Sequence, residues 1–298
     1  MVASGFFAIS CAAPSQVPAP HPAPATSSST SDQPPWPPAP VVPLDSQPPA
    51  HLVVDEPIPS ELSGGRVVIR YRADNLKIVP VFGPNSLDVS PRIGHIHVQV
   101  DDSGWHWADA SGEPLIINGL PAGPHKVWIG LADPTHRIIE SKTVSFVVPP
   151  HATSPAGSPH DPAQHPAPAA NSSATDQQPW LPAPVVPLES QPPAHIVVDK
   201  PLPDQLAKGL VVIRYRPVNL RIVPVFGPNA LDVSPRIGHI HVQVDDSAWR
   251  WVDAGGEPLI IQDLSPGPHE VWIGLADPTH RIIESTTIDF VVPPHDGH

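Results

Sequence analysis

The sequence predicts an all-β protein made of two tandem immunoglobulin-like antiparallel β-sandwich domains joined by proline-rich disordered linkers. Each half carries a series of short segments rich in Val, Ile and aromatic residues, bounded by Gly, Pro, Asp and Ser. No segment keeps a 3.6-residue hydrophobic period over three turns, as a helix would. LDVSPRIGHIHVQVDDS begins at 87 and again at 231, an offset of 144 residues. A small closed barrel is the alternative fold for each half.

The duplication divides the chain into five segments. Residues 1–11 are interpreted as a truncated lipoprotein signal, 12–50 and 150–194 as Pro/Ala/Ser-rich linkers, and 51–149 and 195–294 as the two β-sandwich repeats. Proline accounts for 47 of the 298 residues, more than twice the usual level of ~5%. Segments of this composition cannot bury enough apolar surface to offset ordering, so we expect disordered or extended spacers. Each repeat is long enough to enclose its own core.

The predicted strands follow one another closely in the first repeat and recur 144 residues later in the second. They span residues 51–55, 66–72, 76–82, 94–101, 105–108, 114–117, 125–132 and 143–148. A further edge strand is expected in APVVPL, at 39–44 and 183–188, because proline is tolerated at sheet edges.

Composition excludes several classes of protein. Acidic residues (29) outnumber Lys and Arg (16), which gives a formal charge of −13, and an acidic chain without a basic stripe is not expected to bind nucleic acid. No apolar run approaches the ~20 residues of a membrane span. The single cysteine cannot form an internal disulfide. One count stands out, since the chain holds 17 histidines.

The N-terminal segment MVASGFFAISC suggests a lipid anchor. It resembles the end of a bacterial lipoprotein signal, in which Cys11 would be lipidated and would attach the protein to the membrane. It departs from that pattern in lacking a positively charged start and in having Ala8 where Leu is usual, and a start site assigned too far downstream would explain both. The alternative is a plain tail with one cysteine. The cysteine-free repeats suit a bacterial cell envelope, in the periplasm or at the outer surface.

The strand within GHIHVQV carries the most informative pattern. Side chains alternate between the two faces of a strand, so Ile96, Val98 and Val100 are expected in the core and His95 and His97 together on the opposite face. Two imidazoles at this spacing lie about 6–7 Å apart, close enough to share one metal ion.

A third histidine follows the strand at 125–132. If this strand pairs antiparallel with 94–101, His136 approaches the other two. The candidate metal ligands are His95, His97, His136 and Asp133, and in the second repeat His239, His241, His280 and Asp277. Such a cluster favours copper or zinc. The alternative is that these histidines are hydrogen-bonding groups on a polar sheet face.

Neighbouring residues complete this prediction. Gly130 is expected to leave space beside the cluster and Trp128 to form a wall. His125, at the other end of its strand, should lie near Asp101 or Asp102 instead.

The tryptophans at 105 and 107 are expected to pack in the core. His106 stands between them, but its copy is Arg250, so a role that requires histidine at this position cannot operate in both repeats.

Motifs typical of enzymes are missing from the sequence. It contains no GxSxG elbow, no HExxH helix and no phosphate-binding glycine loop. We therefore expect a non-catalytic protein with an unidentified envelope or extracellular partner. A structural or adhesive protein without metal, whose tandem modules increase avidity, and a metal-dependent enzyme are the alternatives.

The strings GHIHVQVDD and GLPAGPHKVWIGLADPTHR resemble a family of uncharacterised bacterial envelope domains with the pattern GHxHxxVD…GxHxVxxxLxDxxH. The resemblance covers both repeats and implies an envelope location and an immunoglobulin-like sandwich, but no established activity. The histidines of the pattern fall on His95, His97, His125 and His136 and on their copies His239, His241, His269 and His280.

Overall fold

The computed structural model describes residues 41–150 and 185–294. The predicted signal at 1–11 with Cys11, and most of the two proline-rich segments, lie outside the described residues. Within these residues, no helix is long and apolar enough to span a membrane.

The two repeats contain the same elements in the same order. In the first repeat these are β1 (His51–Val54), α1 (Pro59–Ser63), β2 (Arg66–Ile69), β3 (Tyr71–Asp74), β4 (Lys77–Ile78), β5 (Ile93–Val100), β6 (His106–Asp109), β7 (Leu115–Asn118), β8 (Gly123–Ala132) and β9 (Ile138–Val148). In the second they are β10 (His195–Val198), α2 (Pro203–Leu206), β11 (Leu210–Ile213), β12 (Tyr215–Val218), β13 (Arg221–Ile222), β14 (Ile237–Val244), β15 (Arg250–Asp253), β16 (Leu259–Gln262), β17 (Gly267–Ala276) and β18 (Ile282–Val292). Short 3₁₀ helices span Leu44–Ser46, Pro84–Leu87, Leu188–Ser190 and Pro228–Leu231.

The strand predicted at 143–148 is longer in the structure, where β9 begins at Ile138, and three other predictions depart further. The stretch 66–72 is two strands, β2 and β3, which belong to different sheets. Only Lys77–Ile78 of 76–82 is a strand, and its proline at 80 has no N–H for a ladder. The predicted edge strand at 39–44 does not form in the described part, where residues 41–43 are irregular and a 3₁₀ helix begins at Leu44.

The repeats exchange strands. In one seven-stranded sheet the order is β11-β16-β6-β5-β8-β9, so that two strands of the second repeat extend the sheet of the first. In the other the order is β18-β17-β14-β15-β7-β2, which is the reciprocal exchange. The short strands β4 and β13 pair in parallel with β5 and β14, and two-stranded sheets form from β1 with β3 and from β10 with β12. All other pairs are antiparallel.

The exchanged sheets share one hydrophobic core. Buried side chains of both repeats form a single cluster. Between the repeats, the indole rings of Trp107 and Trp251 stack at 4.8 Å, and those of Trp105 and Trp249 stack at 5.5 Å. Trp107 is buried in the core, as predicted, and Trp105 is partly buried against it.

The all-β, sandwich-like fold of two repeated halves is confirmed. One expectation is wrong, namely that each repeat encloses an independent core. Strands β2 and β7 of the first repeat belong to the sheet of the second, and β11 and β16 of the second belong to the sheet of the first. Each seven-stranded sheet is therefore completed only by strands of both repeats.

Candidate metal centre

The strand pairing brings the predicted histidines together. On β5, Ile96 and Val98 are fully buried in the core, as the alternation predicts. His95 and His97 point to the other face. Strand β5 pairs antiparallel with β8. The turn that follows β8 then carries His136 back towards both of them. The prediction of a three-histidine cluster is confirmed in geometry.

The three imidazoles converge through one nitrogen each. His95 Nε2 lies 3.0 Å from His97 Nε2 and 3.0 Å from His136 Nδ1, and the last two nitrogens are 3.3 Å apart. Three nitrogens bound to one tetrahedral ion at 2.0–2.1 Å would be about 3.3 Å apart. The spacing therefore suits a shared metal ion. We call these residues the first triad.

His239, His241 and His280 form the second triad. Its nitrogens are separated by 3.1, 3.1 and 3.3 Å. The duplication has thus produced two copies of the same ligand geometry.

Asp133, predicted as a fourth ligand, does not join the triad. Its Oδ1 accepts hydrogen bonds from the Thr135 N–H at 2.8 Å and the Thr135 hydroxyl at 2.6 Å. Its Oδ2 accepts from Arg137 Nε at 3.0 Å. These donors hold the carboxylate in the turn that presents His136, so its role is positioning. Asp277 makes the same contacts with Thr279 and Arg281.

Burial favours the neutral form of the triad histidines. Burial, together with the charges of neighbouring imidazoles, lowers the pKa of His95 to about 3 and that of His97 to about 2. Burial is also the main cause that lowers the pKa of His136. Neutral imidazole is the metal-binding form. The Nδ1 atoms of His95 and His97 are buried without a hydrogen-bond partner, so the converging nitrogens carry the polar contacts of these two rings.

In the second triad, burial is again the first cause, and it lowers the pKa of His239 to about 3 and that of His241 to about 4. For His241 the further causes include two nearby guanidinium groups, those of Arg250 and Arg66. The two triads therefore differ in their electrostatic surroundings.

Aromatic residues enclose the first triad. The Phe82 ring stacks on His136 at 5.5 Å and meets the edge of His95 at 5.0 Å. Gly130 was expected to leave space, but the Trp128 indole fills it, since a Cβ at Gly130 would lie 2.4 Å from that ring. The glycine thus makes room for the indole of Trp128. The small residue serves packing.

Strand exchange places residues of one repeat against the triad of the other. Gln262, on β16, lies 2.9 Å from His136 through its Nε2. Its Oε1 lies 3.2 Å from Nε2 of His106, whose ring is next to His97. Arg66, on β2, lies 3.0 Å from His280 through its Nη1.

His125 is separate from the triad, as predicted. Its Nδ1 lies 2.9 Å from Asp101 Oδ2, and its Nε2 lies 2.8 Å from the Pro121 carbonyl oxygen. Asp101 also accepts a hydrogen bond from the Lys126 N–H. These contacts tie the β5–β6 turn to the start of β8, which is a structural role, and His269 repeats them with Asp245 and Ser265.

Sequence reasoning missed the residues that reach each triad from the other repeat. Alternation along a strand identifies ligands within a repeat but does not report exchange between repeats. A signal was nevertheless present, because Arg66 and Gln262 stand at positions where the two copies differ, with Leu210 and Asn118 as their counterparts.

Comparison with known families agrees with the histidine pattern. A family model described as "Family of unknown function (DUF6130)" matches residues 5–161 and again 156–298. The chain belongs to this family. The two matches confirm the resemblance to an uncharacterised, tandemly duplicated domain. A search of curated proteins found no match.

Proposed function

We propose that this protein is a non-catalytic binding protein of the bacterial cell envelope that holds a transition-metal ion, copper or zinc, in a histidine triad. The observation that carries the proposal is the convergence of three imidazole nitrogens within 3.3 Å of one another in the first triad. Imidazole is a ligand suited to both metals.

Hydrogen bonding alone accounts poorly for this convergence. Each ring nitrogen offers either one N–H or one lone pair in the ring plane. A hydrogen bond joins one donor to one acceptor, so a third nitrogen at the same point must share a donor or remain unpaired. One metal ion would accept all three lone pairs together.

The surroundings of the first triad favour binding over catalysis. His95 and His97 are 0% and 1% exposed, and Phe82 packs against the triad. Asp133, the nearest predicted acid, is committed to the turn. These features support retention of an ion under protein side chains.

The envelope location rests on the sequence. The segment before Cys11 resembles a lipoprotein signal, and the repeats contain no cysteine. Mass spectrometry of the protein purified from membranes of its native host should find a lipid-modified Cys11, and Cys11→Ala should release the protein from the membrane fraction. An unmodified cysteine in a soluble fraction would contradict the lipid anchor.

Calorimetry on the tag-free full chain tests the metal site. Titration with Zn(II) and with Cu(II) should show a saturable binding event that disappears in His97→Ala/His136→Ala. His51→Ala is the matched control, because this histidine has a 61% exposed side chain and lies outside both triads. Absence of binding in the native chain would contradict the metal site and favour a purely structural or adhesive module, and unchanged binding in the double variant would place the ion outside the first triad.

A further inference from the structure

The internal distances of the two triads agree within 0.1 Å, but their neighbours differ. At three positions around the triads, the two repeats have side chains of different type. At two of these positions, strand exchange brings the residue next to the triad of the other repeat. The differing pairs are Arg66 and Leu210, Asn118 and Gln262, and His106 and Arg250. The ligands themselves are identical in both copies.

Arg66 fixes the tautomer of His280. Its Nη1 lies 3.0 Å from His280 Nε2, and a guanidinium group can only donate. His280 Nε2 must therefore carry the lone pair, and in the neutral ring the hydrogen is on Nδ1. This Nδ1 is the atom that points into the second triad, 3.1 Å from His239 Nε2. A nitrogen that carries a hydrogen has no lone pair for a metal.

The position of Arg66 is itself secured. Its Nε lies 3.1 Å from Glu61 Oε2 in the same repeat. The counterparts of this ion pair are Leu210 and Gln205. Leu210 lies opposite Gln262 on the neighbouring strand, just as Arg66 lies opposite Asn118. The residue that corresponds to Arg66 in this register is therefore apolar and cannot donate a hydrogen bond to His136.

Gln262 has the opposite effect on the first triad. Its Nε2, which can only donate, lies 2.9 Å from His136 Nδ1. His136 Nδ1 is therefore an acceptor, and its lone pair faces the triad. A metal ion would take the lone pair that the amide now contacts. The two repeats thus hold the same histidine in opposite tautomers.

Charge acts in the same direction. Two guanidinium groups, of Arg66 and Arg250, lie near the second triad, and Arg250 is held over the Trp272 ring at 4.3 Å. A cation bound there would be repelled by Arg250 and by Arg66, although Glu61 offsets part of the charge of Arg66. The counterparts of Arg66 and Arg250 are Leu210 and His106, neither of which carries a guanidinium group.

We propose that the chain binds one transition-metal ion, in the first triad, and that Arg66 keeps the second triad metal-free as a hydrogen-bonded contact between the repeats. This inference rests on the proposed function. Arg66 is the residue that determines which of the two triads is a metal site.

Metal stoichiometry on the tag-free full chain tests this assignment. The metal-free protein is equilibrated with Zn(II), freed of unbound ion by gel filtration, and analysed by elemental mass spectrometry. His97→Ala/His241→Ala sets the baseline for weak sites elsewhere. We expect one zinc per chain above this baseline, lost in His97→Ala and retained in His241→Ala. Arg66→Leu, which places the first site's residue at this one position, should raise the value to two, and Leu210→Arg/Gln205→Glu should lower it to zero.

The outcomes separate the two proposals. Two zinc ions in the native chain, or one that is lost only in His241→Ala, would overturn the asymmetry and leave metal binding intact. A value of one that does not rise in a folded Arg66→Leu protein would overturn the role of Arg66. No zinc in the native chain would overturn both proposals.

The tautomers provide a test that needs no variant. Long-range ¹H–¹⁵N spectra of the metal-free protein near pH 7.5 report which ring nitrogen carries the hydrogen. We expect the hydrogen on Nδ1 in His280 and on Nε2 in His136. The same tautomer in both residues would overturn the inference.

Discussion

His136 occupies a backbone conformation that only a few residue types tolerate. Its φ is +68°, and that of its copy, His280, is +67°. Left-handed conformations of non-glycine residues are uncommon and are often found at functional sites. The hydrogen bonds to Asp133 stabilise this turn, because the carboxylate accepts donors from both sides of His136.

Asp133→Ala should weaken metal binding without removing a ligand. The turn would lose its acceptors, His136 would sample other positions, and zinc affinity should fall by roughly 10–100-fold, as for other supporting residues of metal sites. Calorimetry of the folded variant measures this. Asp277→Ala is the matched control and should leave zinc affinity unchanged. An equal loss in both variants would contradict the positioning role.

Asp109 and its counterpart in the second repeat, Asp253, also differ in the hydrogen bonds that they accept. Burial, and then the charge of Asp109, raise the pKa of Asp253 to about 7. Asp109 is better supported, since it accepts from the Ser111 hydroxyl at 2.6 Å. The counterpart of Ser111 is Gly255, which supplies only its N–H.

The raised pKa of Asp253 predicts a pH effect on stability. The folded state binds the proton more tightly than the unfolded state, so the contribution of Asp253 to stability falls as pH rises from about 4 to about 7. The Tm of Asp253→Asn, measured against that of the native protein, should therefore be higher at pH 8 than at pH 5. Gly255→Ser supplies the missing hydroxyl and should produce a smaller rise of the same kind. Thermal unfolding at both pH values measures this, and parallel profiles for all three proteins would contradict it.

At this scale the sequence predicts the ligands but not their protonation. Alternation and antiparallel pairing place His95, His97 and His136 correctly. They cannot place Arg66 or Gln262, because hydrogen bonds from another repeat depend on tertiary pairing. Asp133 was grouped with the ligands because a carboxylate beside a histidine serves equally well as ligand or as turn acceptor.

At the scale of strands, the exchange between repeats is the main departure from the prediction. Strand β6 pairs with β16, in the register Trp107 with Ile261. The copy of Ile261 within the same repeat is Ile117. Because the two candidate partners have nearly the same side chains, a duplicated sequence does not distinguish pairing within a repeat from pairing between repeats.

The exchange predicts how a single repeat behaves. A chain of residues 41–150 lacks the partner strands of the second repeat and would expose Trp105 and Trp107, which stack on tryptophans of that repeat. We expect it to form a homodimer that exchanges β2 and β7 reciprocally. Light scattering coupled to gel filtration measures the mass. A stable, folded monomer at micromolar concentration would contradict the strand exchange.

On the scale of the whole molecule, the shared core makes the two repeats one cooperative unit. Both contribute to one hydrophobic cluster, and each completes a sheet of the other. The chain should therefore unfold in a single calorimetric transition. Two resolved transitions would contradict the shared core.

Zinc should raise the temperature of that single transition. A ligand that binds only the folded state at 100 times its Kd stabilises by about 2.7 kcal/mol. For about 200 folded residues this corresponds to a rise in Tm of roughly 5–10 °C. His97→Ala should abolish the rise. A rise of equal size in that variant would place the ion outside the first triad.

The central claim is that the first triad is a metal site. Anomalous diffraction at the zinc edge, from crystals of the full chain grown with one equivalent of Zn(II), tests it most directly. We expect one peak, bonded to Nε2 of His95, Nε2 of His97 and Nδ1 of His136. A peak only in the second triad, or none in either, would contradict it.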